Sequence, residues 1–275
     1  MSESPEERAF RALTDQITRA RGICCGAYKD RCLKRRIAVR MRARGVHTFA
    51  DYGRVLDGDA REYDLLLDAL TINVTKFFRN PETWAALAPF VAERWQARQG
   101  AFVAWSAGCA SGEEPYTVAV SLAETARLTH TLERLPRARV LATDIDRVSL
   151  ERAHAARYPA SAFSEMPAEL ARRWLEPPAA DGSRTPVAAV RERVEVRRHD
   201  LTRERPPERG LDLIVCRNVV IYFDRATQER LFHDFAEALA PGGLLLLGKV
   251  ETLLGPARET LHLENARERI YRRPA

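Results

Sequence analysis

Apolar residues recur at helical spacing through the N-terminal quarter of the chain, then gather into short unbroken runs separated by amphipathic stretches. Ser4-Pro5-Glu6-Glu7 carries a capping-box pattern with proline at the first helical position. Phe10, Leu13 and Ile17 follow on one face, which predicts a helix to about Arg21. After the Gly22 and Gly26 breaks, Leu33, Ile37 and Met41 predict a second helix over 29–44 with a narrow packing stripe. Thr48 has the character of an N-cap, and Tyr63, Leu66, Leu67 and Leu70 form another amphipathic face. Residues 1–70 are therefore expected to form an all-helical domain, with 71–80 as a linker.

Asn80-Pro81 should cap and open the next helix. Beyond it the pattern predicts strand 101–106, helix 113–127, strand 139–144, helix 147–156, strand 211–216, helix 225–239 and strand 243–248. Runs such as Phe102–Trp105 suit interior strands of a parallel sheet. Strand–helix alternation implies an α/β, doubly wound, Rossmann-like domain over 81–275 with ligands at the carboxyl ends of its strands. Residues 159–200 are too long for a simple connection. The Val187–Val190 and Val194–Val196 clusters, after turn-rich Pro177–Pro186, suggest a small antiparallel β insertion there. The tail after Gly255 reads as two strands and a turn.

Composition narrows the class. At 275 residues and 45% hydrophobic, the chain can bury a full core. Its polar, acidic start and the lack of any apolar run of membrane-spanning length point to the cytoplasm. The five cysteines contain no Cys-x-x-Cys pair; they support neither a disulfide framework nor a metal site and are read as buried thiols. A net charge of +6 favours an acidic partner. Much of it lies in 29–44, where Lys29, Arg31, Lys34, Arg35, Arg36, Arg40, Arg42 and Arg44 stand against one acid, Asp30. This helix is either a solvated face or a docking surface, with Arg31, Arg35 and Arg42 on a common side.

The candidate chemistry centres on 101–116. Ser106, Gly108, Ser111 and Gly112 remove bulk where a ligand needs close backbone approach, and the loop then runs into Glu113 and Glu114 with no cation nearby. Phosphate is disfavoured there. S-adenosylmethionine, cationic and without phosphate, fits; an ordinary tight strand–helix turn is the alternative. Asp144, at the end of the second strand, can accept from both ribose hydroxyls, or Asp144 or Asp146 can cap the following helix. Cys216–Asp224 puts Asn218 and Tyr222 at one strand edge. Thr71–Asn80 mixes amide, hydroxyl, cation and paired aromatics, as a segment closing over a site would, or is a plain linker.

Taken together, Thr71–Asn80, Trp105–Tyr116, Ala142–Asp146 and Cys216–Asp224 resemble the four signature blocks of the CheR family. These are S-adenosylmethionine-dependent methyltransferases that esterify glutamates on bacterial chemotaxis receptors. Tyr28-Lys29 and Thr48–Tyr52 resemble the family's N-terminal domain. The resemblance implies that Asn73, Thr75 and Arg79 approach the cofactor and that Glu114, ahead of Glu113, holds its ammonium end. Asp144 would bind the ribose, Asp200-Leu201 would flank the adenine, Arg217-Asn218 would line the cleft, and Arg79 and Tyr222 would orient the methyl acceptor. The chain departs from the family at Asp200, usually asparagine, and at Gly248-Lys249-Val250-Glu251, commonly Gly-His-Ser-Glu.

The implied partner is the cytoplasmic domain of a methyl-accepting chemoreceptor, docked beside helix 29–44. Neither nucleic acid binding nor membrane insertion is expected, monomer is the default state, and S-adenosylhomocysteine is the inhibitory product. A glutamate carboxylate, with a reference pKa of about 4.3, needs no general base, so the enzyme mainly aligns and desolvates. Asn218–Tyr222 lacks the Asn/Asp-Pro-Pro-Tyr pattern of amine-methylating enzymes. Competing readings are the same chemistry on another signalling protein, a non-catalytic cofactor-binding regulator, and, on basicity alone, a nucleic-acid methyltransferase.

Overall fold

The computed structural model describes residues 4–70 and 75–275. Two compact units emerge: Met1–Asn73 with Tyr222–Thr227, and Val74–Ile221 with Gln228–Ala275.

The helical unit contains α1 (Pro5–Arg21), α2 (Asp30–Ala43), α3 (Phe49–Gly58) and α4 (Ala60–Leu70). The expected capping box forms, with Ser4 Oγ accepting from Glu7 N and the Glu7 carboxylate accepting from Ser4 N. Phe10, Leu13, Ile17, Leu33, Ile37, Tyr52, Leu56 and Leu66 pack the core. Glu62 is fully buried there, held by Arg40 through Nε (2.9 Å) and Nη2 (2.8 Å) and by the Tyr52 hydroxyl (2.7 Å). Burial raises the carboxyl's pKa, but these donors outweigh it and hold Glu62 below its ordinary value. Tyr222–Thr227 belongs with these helices because Lys29 N donates to Tyr222 O (2.9 Å), Asp224 N to Ala27 O (2.9 Å), and the Tyr28 and Phe223 rings meet edge-on at 5.0 Å.

The second unit runs α5 (Pro81–Ala97), β1 (Val103–Ala107), α6 (Glu113–Leu128), β2 (Arg139–Asp144), α7 (Arg147–Ala155), α8 (Ala168–Trp174), α9 (Ala188–Arg191), β3 (Val194–Arg198), β4 (Leu211–Cys216), α10 (Arg225–Ala238), β5 (Leu239–Leu247), α11 (Ala257–Thr260), β6 (His262–Asn265) and β7 (Ile270–Arg272). Its sheet has the order β3-β2-β1-β4-β5-β7-β6; the first five strands are parallel, and β7 is antiparallel to both β5 and β6. Strand order reverses between β1 and β4, so the crevice at their carboxyl ends is the topological switch point. Ser106 pairs with Ala142 on one side and Val215 on the other, bringing the ends of β1, β2 and β4 level. Every residue of β4 is buried, including Asp212, whose carboxylate takes Arg94 Nε (2.9 Å) and Val103 N (2.9 Å).

Antiparallel pairing does occur within 159–200, but not where the valine clusters suggested. Glu176 N donates to Thr185 O (2.8 Å), Ala179 N to Ser183 O (2.8 Å) and Val187 N to Trp174 O (3.0 Å), so the Pro177–Pro186 stretch itself folds back. Val187 instead leads into the helical turn α9, and Val194–Val196 lies in β3, which pairs parallel with β2 at the sheet edge. Short apolar runs carry no period that separates a helical turn from a strand.

Candidate active site

Beyond β1 the chain turns through Gly108–Gly112 into α6. Gly108 has φ +82°, and a Cβ there would lie 2.6 Å from a Val219 methyl; Gly112 has φ +100°, and its Cβ would meet the Tyr158 hydroxyl at 2.5 Å. Both glycines are thus demanded by the protein's own packing. The amides of Gly108 and Cys109 donate to Thr143 O (2.8 and 2.9 Å), tying the loop to the end of β2.

The two acids that open α6 part company. Glu113 is buried and closes the loop on itself, accepting from Ser111 Oγ at 2.7 Å. Glu114 reaches back over β1, where its Oε1 accepts from Ser106 Oγ at 2.8 Å. Burial pushes the Glu114 carboxyl up to about 7, while Arg217 and Arg79 pull it down. An acid so placed is half-protonated near neutrality, and a cation brought beside it would favour the carboxylate.

Asp144 ends β2 with Oδ2 accepting from Ala110 N (2.9 Å) and Oδ1 from Asp146 N (3.0 Å). The cap of α7 is Asp146, which accepts from Val148 N (3.0 Å) and Ser149 Oγ (2.8 Å). Asp144 is therefore not spent as a cap. A carboxylate offers about four lone-pair sites, so each of its oxygens retains capacity for a further donor such as a hydroxyl.

After β3, His199 N donates to Asp144 O (3.0 Å), anchoring the next loop to the same strand end. Asp200 is buried, and its Oδ1 accepts from Thr202 N (2.8 Å) and Thr202 Oγ1 (2.6 Å), a local turn that occupies this oxygen. Leu201 O accepts from Arg230 (2.7 Å). Sequence reasoning passed over His199. Its buried ring stands edge-on to Trp105 at 5.7 Å, burial lowers its pKa, and its Nε2 has no partner among the described residues.

Arg217, at the end of β4, is buried and holds the segment before α5: Nη1 donates to Arg79 O (3.0 Å) and Nη2 to Asn80 Oδ1 (2.9 Å), with its guanidinium 5.5 Å from the Trp84 ring. Asn80 occupies the N-cap position of α5 at φ +60°, yet its side chain makes no capping bond, contrary to the sequence expectation; Arg217 takes it instead. Asn218 also has positive φ, +60°. Its loop is fixed by Glu251, whose carboxylate accepts from the backbone amides of Asn218 (2.9 Å), Val219 (2.9 Å), Ile221 (3.4 Å) and Gly248 (2.6 Å). The chain's departure from the family pattern at Lys249-Val250 leaves this glutamate in place, and that retention is its one signal in the sequence.

The structure thus brings Gly108, Glu114, Asp144, Asp200, Leu201, Arg217 and Asn218 to the carboxyl ends of β1–β4, with Arg79 on the segment pinned by Arg217 and Thr75 four residues ahead of it. Asn73 lies outside the described residues. Tyr222 sits in the helical unit, its ring 5.3 Å from the Arg36 guanidinium. On α2, Arg31, Arg35 and Arg42 are exposed, while Arg36 bonds Ala69 O (2.7 Å) and Arg40 bonds Glu62; Arg44, just past its end, pairs with Asp59 (3.2 Å). Cys25, Cys109 and Cys216 are buried as expected; Cys24 and Cys32 are only partly so. Among the described residues no helix is long and apolar enough to cross a membrane, and no group of three or more His, Cys, Asp or Glu side chains is placed to hold a metal ion.

Comparison with known proteins gives two family matches: the all-alpha domain of CheR methyltransferases over residues 8–71 and their SAM binding domain over 73–270. A chemotaxis protein methyltransferase of Listeria monocytogenes serovar 1/2a is 34% identical over 252 residues, covering 91% of this chain and 92% of that one. One from Klebsiella aerogenes is 33% identical over 258 residues, covering 91% and 85%. One from Escherichia coli strain K12 is 31% identical over 253 residues, covering 88% and 83%.

Proposed function

The chain belongs to the CheR family of S-adenosylmethionine-dependent methyltransferases that act in chemotaxis, and we propose that it methylates glutamate carboxylates on the cytoplasmic helices of a chemoreceptor, forming methyl esters. The observation that carries this reading is the charge layout at the strand ends. Two acids, Glu114 and Asp144, suit a cationic cofactor, and a cation, Arg79, lies on a segment pinned through its own carbonyl by Arg217.

The donor set fits the cofactor. Glu114 would neutralise its ammonium, Asp144 would accept its ribose hydroxyls, and Thr75, Gly108, Asp200, Leu201, Arg217 and Asn218 would line its cleft, with Asn73 proposed beside them on the resemblance alone. When bound, S-adenosylmethionine supplies an electrophilic methyl carbon on a sulfonium. The acceptor glutamate arrives ionised and no base is required. Arg79 would hold one oxygen of that carboxylate by a charge-assisted hydrogen bond, and Tyr222 would donate to it or pack against it, leaving the other oxygen to react. Alignment of this kind can be worth roughly 7–11 kcal/mol. The acceptor's surroundings on the receptor are acidic in this reading, and exposed Arg31, Arg35 and Arg42 would meet them.

The test is transfer of radiolabelled methyl from S-adenosylmethionine to a chemoreceptor cytoplasmic fragment of the same organism, followed by mild alkali. Volatile methanol released from the fragment supports a carboxyl methyl ester. Alkali-stable label, or label only on a different protein, overturns the substrate assignment.

A further inference from the structure

The segment that carries Arg79 is bent in a way that needs holding. Phe78 and Asn80, on either side of it, have φ of +54° and +60°, in the left-handed region that residues other than glycine seldom adopt. Such conformations persist where surrounding structure over-determines them, and they cluster at functional sites. Several ties do this from the core: Phe77 N to Ala162 O (3.0 Å), Phe78 N to Thr117 Oγ1 (3.0 Å), and Trp84 Nε1 and Arg217 Nη1 to Arg79 O (3.1 and 3.0 Å).

One further tie comes from a partly exposed side chain. Glu165, in the turn before α8, accepts from Asn80 N through Oε2 at 2.8 Å and faces Lys76 Nζ through Oε1 at 3.5 Å. It therefore grips the residues that bracket Phe77, Phe78 and Arg79. The same stretch of chain also touches the cofactor loop. Tyr158 OH donates to Ser111 O (2.9 Å), its ring meets Phe77 edge-on at 5.0 Å, and Phe163 stacks on Phe77 at 4.4 Å. Residues 158–165 are thus a strut between the loop at the end of β1 and the Arg79 segment.

We propose that Glu165 is a positioning residue for methyl transfer, holding the strained Asn80 amide so that Arg79 is presented at a fixed place; this rests on the reading of Arg79 as the group that orients the acceptor. A partly exposed ion pair contributes little to global stability. A charge-assisted bond to the amide of a strained residue has its effect on local geometry. Glu165 would accordingly act on the rate of transfer and leave the cofactor's own contacts alone.

The test uses the full chain with Glu165→Ala, Glu165→Gln, Arg79→Ala and the Glu165→Ala/Arg79→Ala double variant. Glu165→Ala should lower kcat on a receptor fragment about 10-fold, with S-adenosylhomocysteine affinity held within about twofold, because small misplacements of aligning groups are costly. Glu165→Gln, which keeps an oxygen for the Asn80 amide, should recover most of the rate. Glu165→Ala should also speed deuterium exchange in peptides covering residues 77–81, and in the Arg79→Ala background it should add no further loss of kcat. Unchanged exchange overturns the proposal whatever fragment is used as substrate. A full additional loss in the Arg79→Ala background overturns it while leaving the reading of Arg79 standing. An Arg79→Ala enzyme with wild-type kcat overturns that reading, and the positioning role with it.

Discussion

The Glu251 carboxylate and the Asn218 amide stand 2.9 Å apart, joining the turn after β5 to the loop after β4, and the same carboxylate also accepts from Val219, Ile221 and Gly248. A single buried side chain thus fixes a loop whose first residue has positive φ. Removing it leaves several buried donors without an acceptor, each costing about 1–3 kcal/mol before water or relaxation offsets part of the loss. Glu251→Ala should destabilise the protein by about 2–4 kcal/mol. Glu251→Gln should cost nearly as much, since its NH2 would face amide donors. Urea unfolding measures both, and a neutral Glu251→Gln would remove the carboxylate from this anchoring role.

Asp144 and Asp146 are two residues apart but have separable duties. Asp146→Ala should cost about 1 kcal/mol of stability through loss of the α7 cap and leave cofactor affinity nearly unchanged. Asp144→Ala should weaken S-adenosylhomocysteine binding roughly 10-fold or more by removing the proposed ribose acceptor. Titration calorimetry on the two variants decides: equal affinity for Asp144→Ala and wild type is incompatible with the ribose role.

What the sequence made legible were features with a period or a local rule. The Ser4 capping box, the Leu33–Ile37–Met41 stripe and the apolar β4 run each gave the observed element within a residue or two. The placement of Glu114 at the start of α6 and of Asp144 at the end of β2 was legible in the same way, from where an apolar run stops. The missing parts depend on partners distant in sequence. Nothing near Tyr222 announces that Ala27–Lys29 will capture its segment. Glu251 acquires its role only from amides about 30 positions earlier, and Asn80 lost its capping duty to Arg217, 137 residues away. The division of the basic stretch into exposed Arg31, Arg35 and Arg42 and engaged Arg36, Arg40 and Arg44 required knowing that Ala69 O, Glu62 and Asp59 would lie opposite the last three.

That division yields a paired prediction. Reversing Arg35 and Arg42 to glutamate should raise the KM for a receptor fragment, with cofactor affinity and thermal stability unaltered, if this face meets an acidic partner. Arg40→Ala should instead destabilise the helical unit by about 3–5 kcal/mol, because the buried Glu62 carboxylate loses its bidentate partner. Steady-state kinetics and denaturant melts separate the two. An unchanged KM in the double reversal would make that face of α2 a solvated surface.

Tyr222→Phe keeps the ring that lies beside Arg36 and removes only the hydroxyl. S-adenosylhomocysteine affinity should stay at the wild-type value while kcat on the receptor fragment falls about 10-fold, the loss of one donor to an ionised acceptor. Parallel calorimetry and methyl-transfer assays check this. A kcat equal to wild type removes the hydroxyl from the reaction.

The pH dependence of cofactor binding should report on Glu114. Burial raises its folded-state pKa from the ordinary 4.5 to about 7, so in the empty protein the neutral acid is favoured below neutrality. Because the folded value exceeds the unfolded one, this group's contribution to stability is complete below about 4.5 and is lost as pH rises through about 7. Binding an ammonium beside Glu114 has the opposite preference: it requires the carboxylate and so expels a proton in slightly acidic solution. S-adenosylhomocysteine affinity should therefore increase from pH 5.5 toward about 7.5, by at most about tenfold per pH unit, with proton release visible as a dependence of the calorimetric heat on buffer ionisation enthalpy. Glu114→Gln should bind more weakly and lose the pH slope. His199, whose pKa is lowered by burial, supplies the control. A slope that survives in Glu114→Gln and vanishes in His199→Gln would transfer the linkage from the ammonium site to the loop after β3.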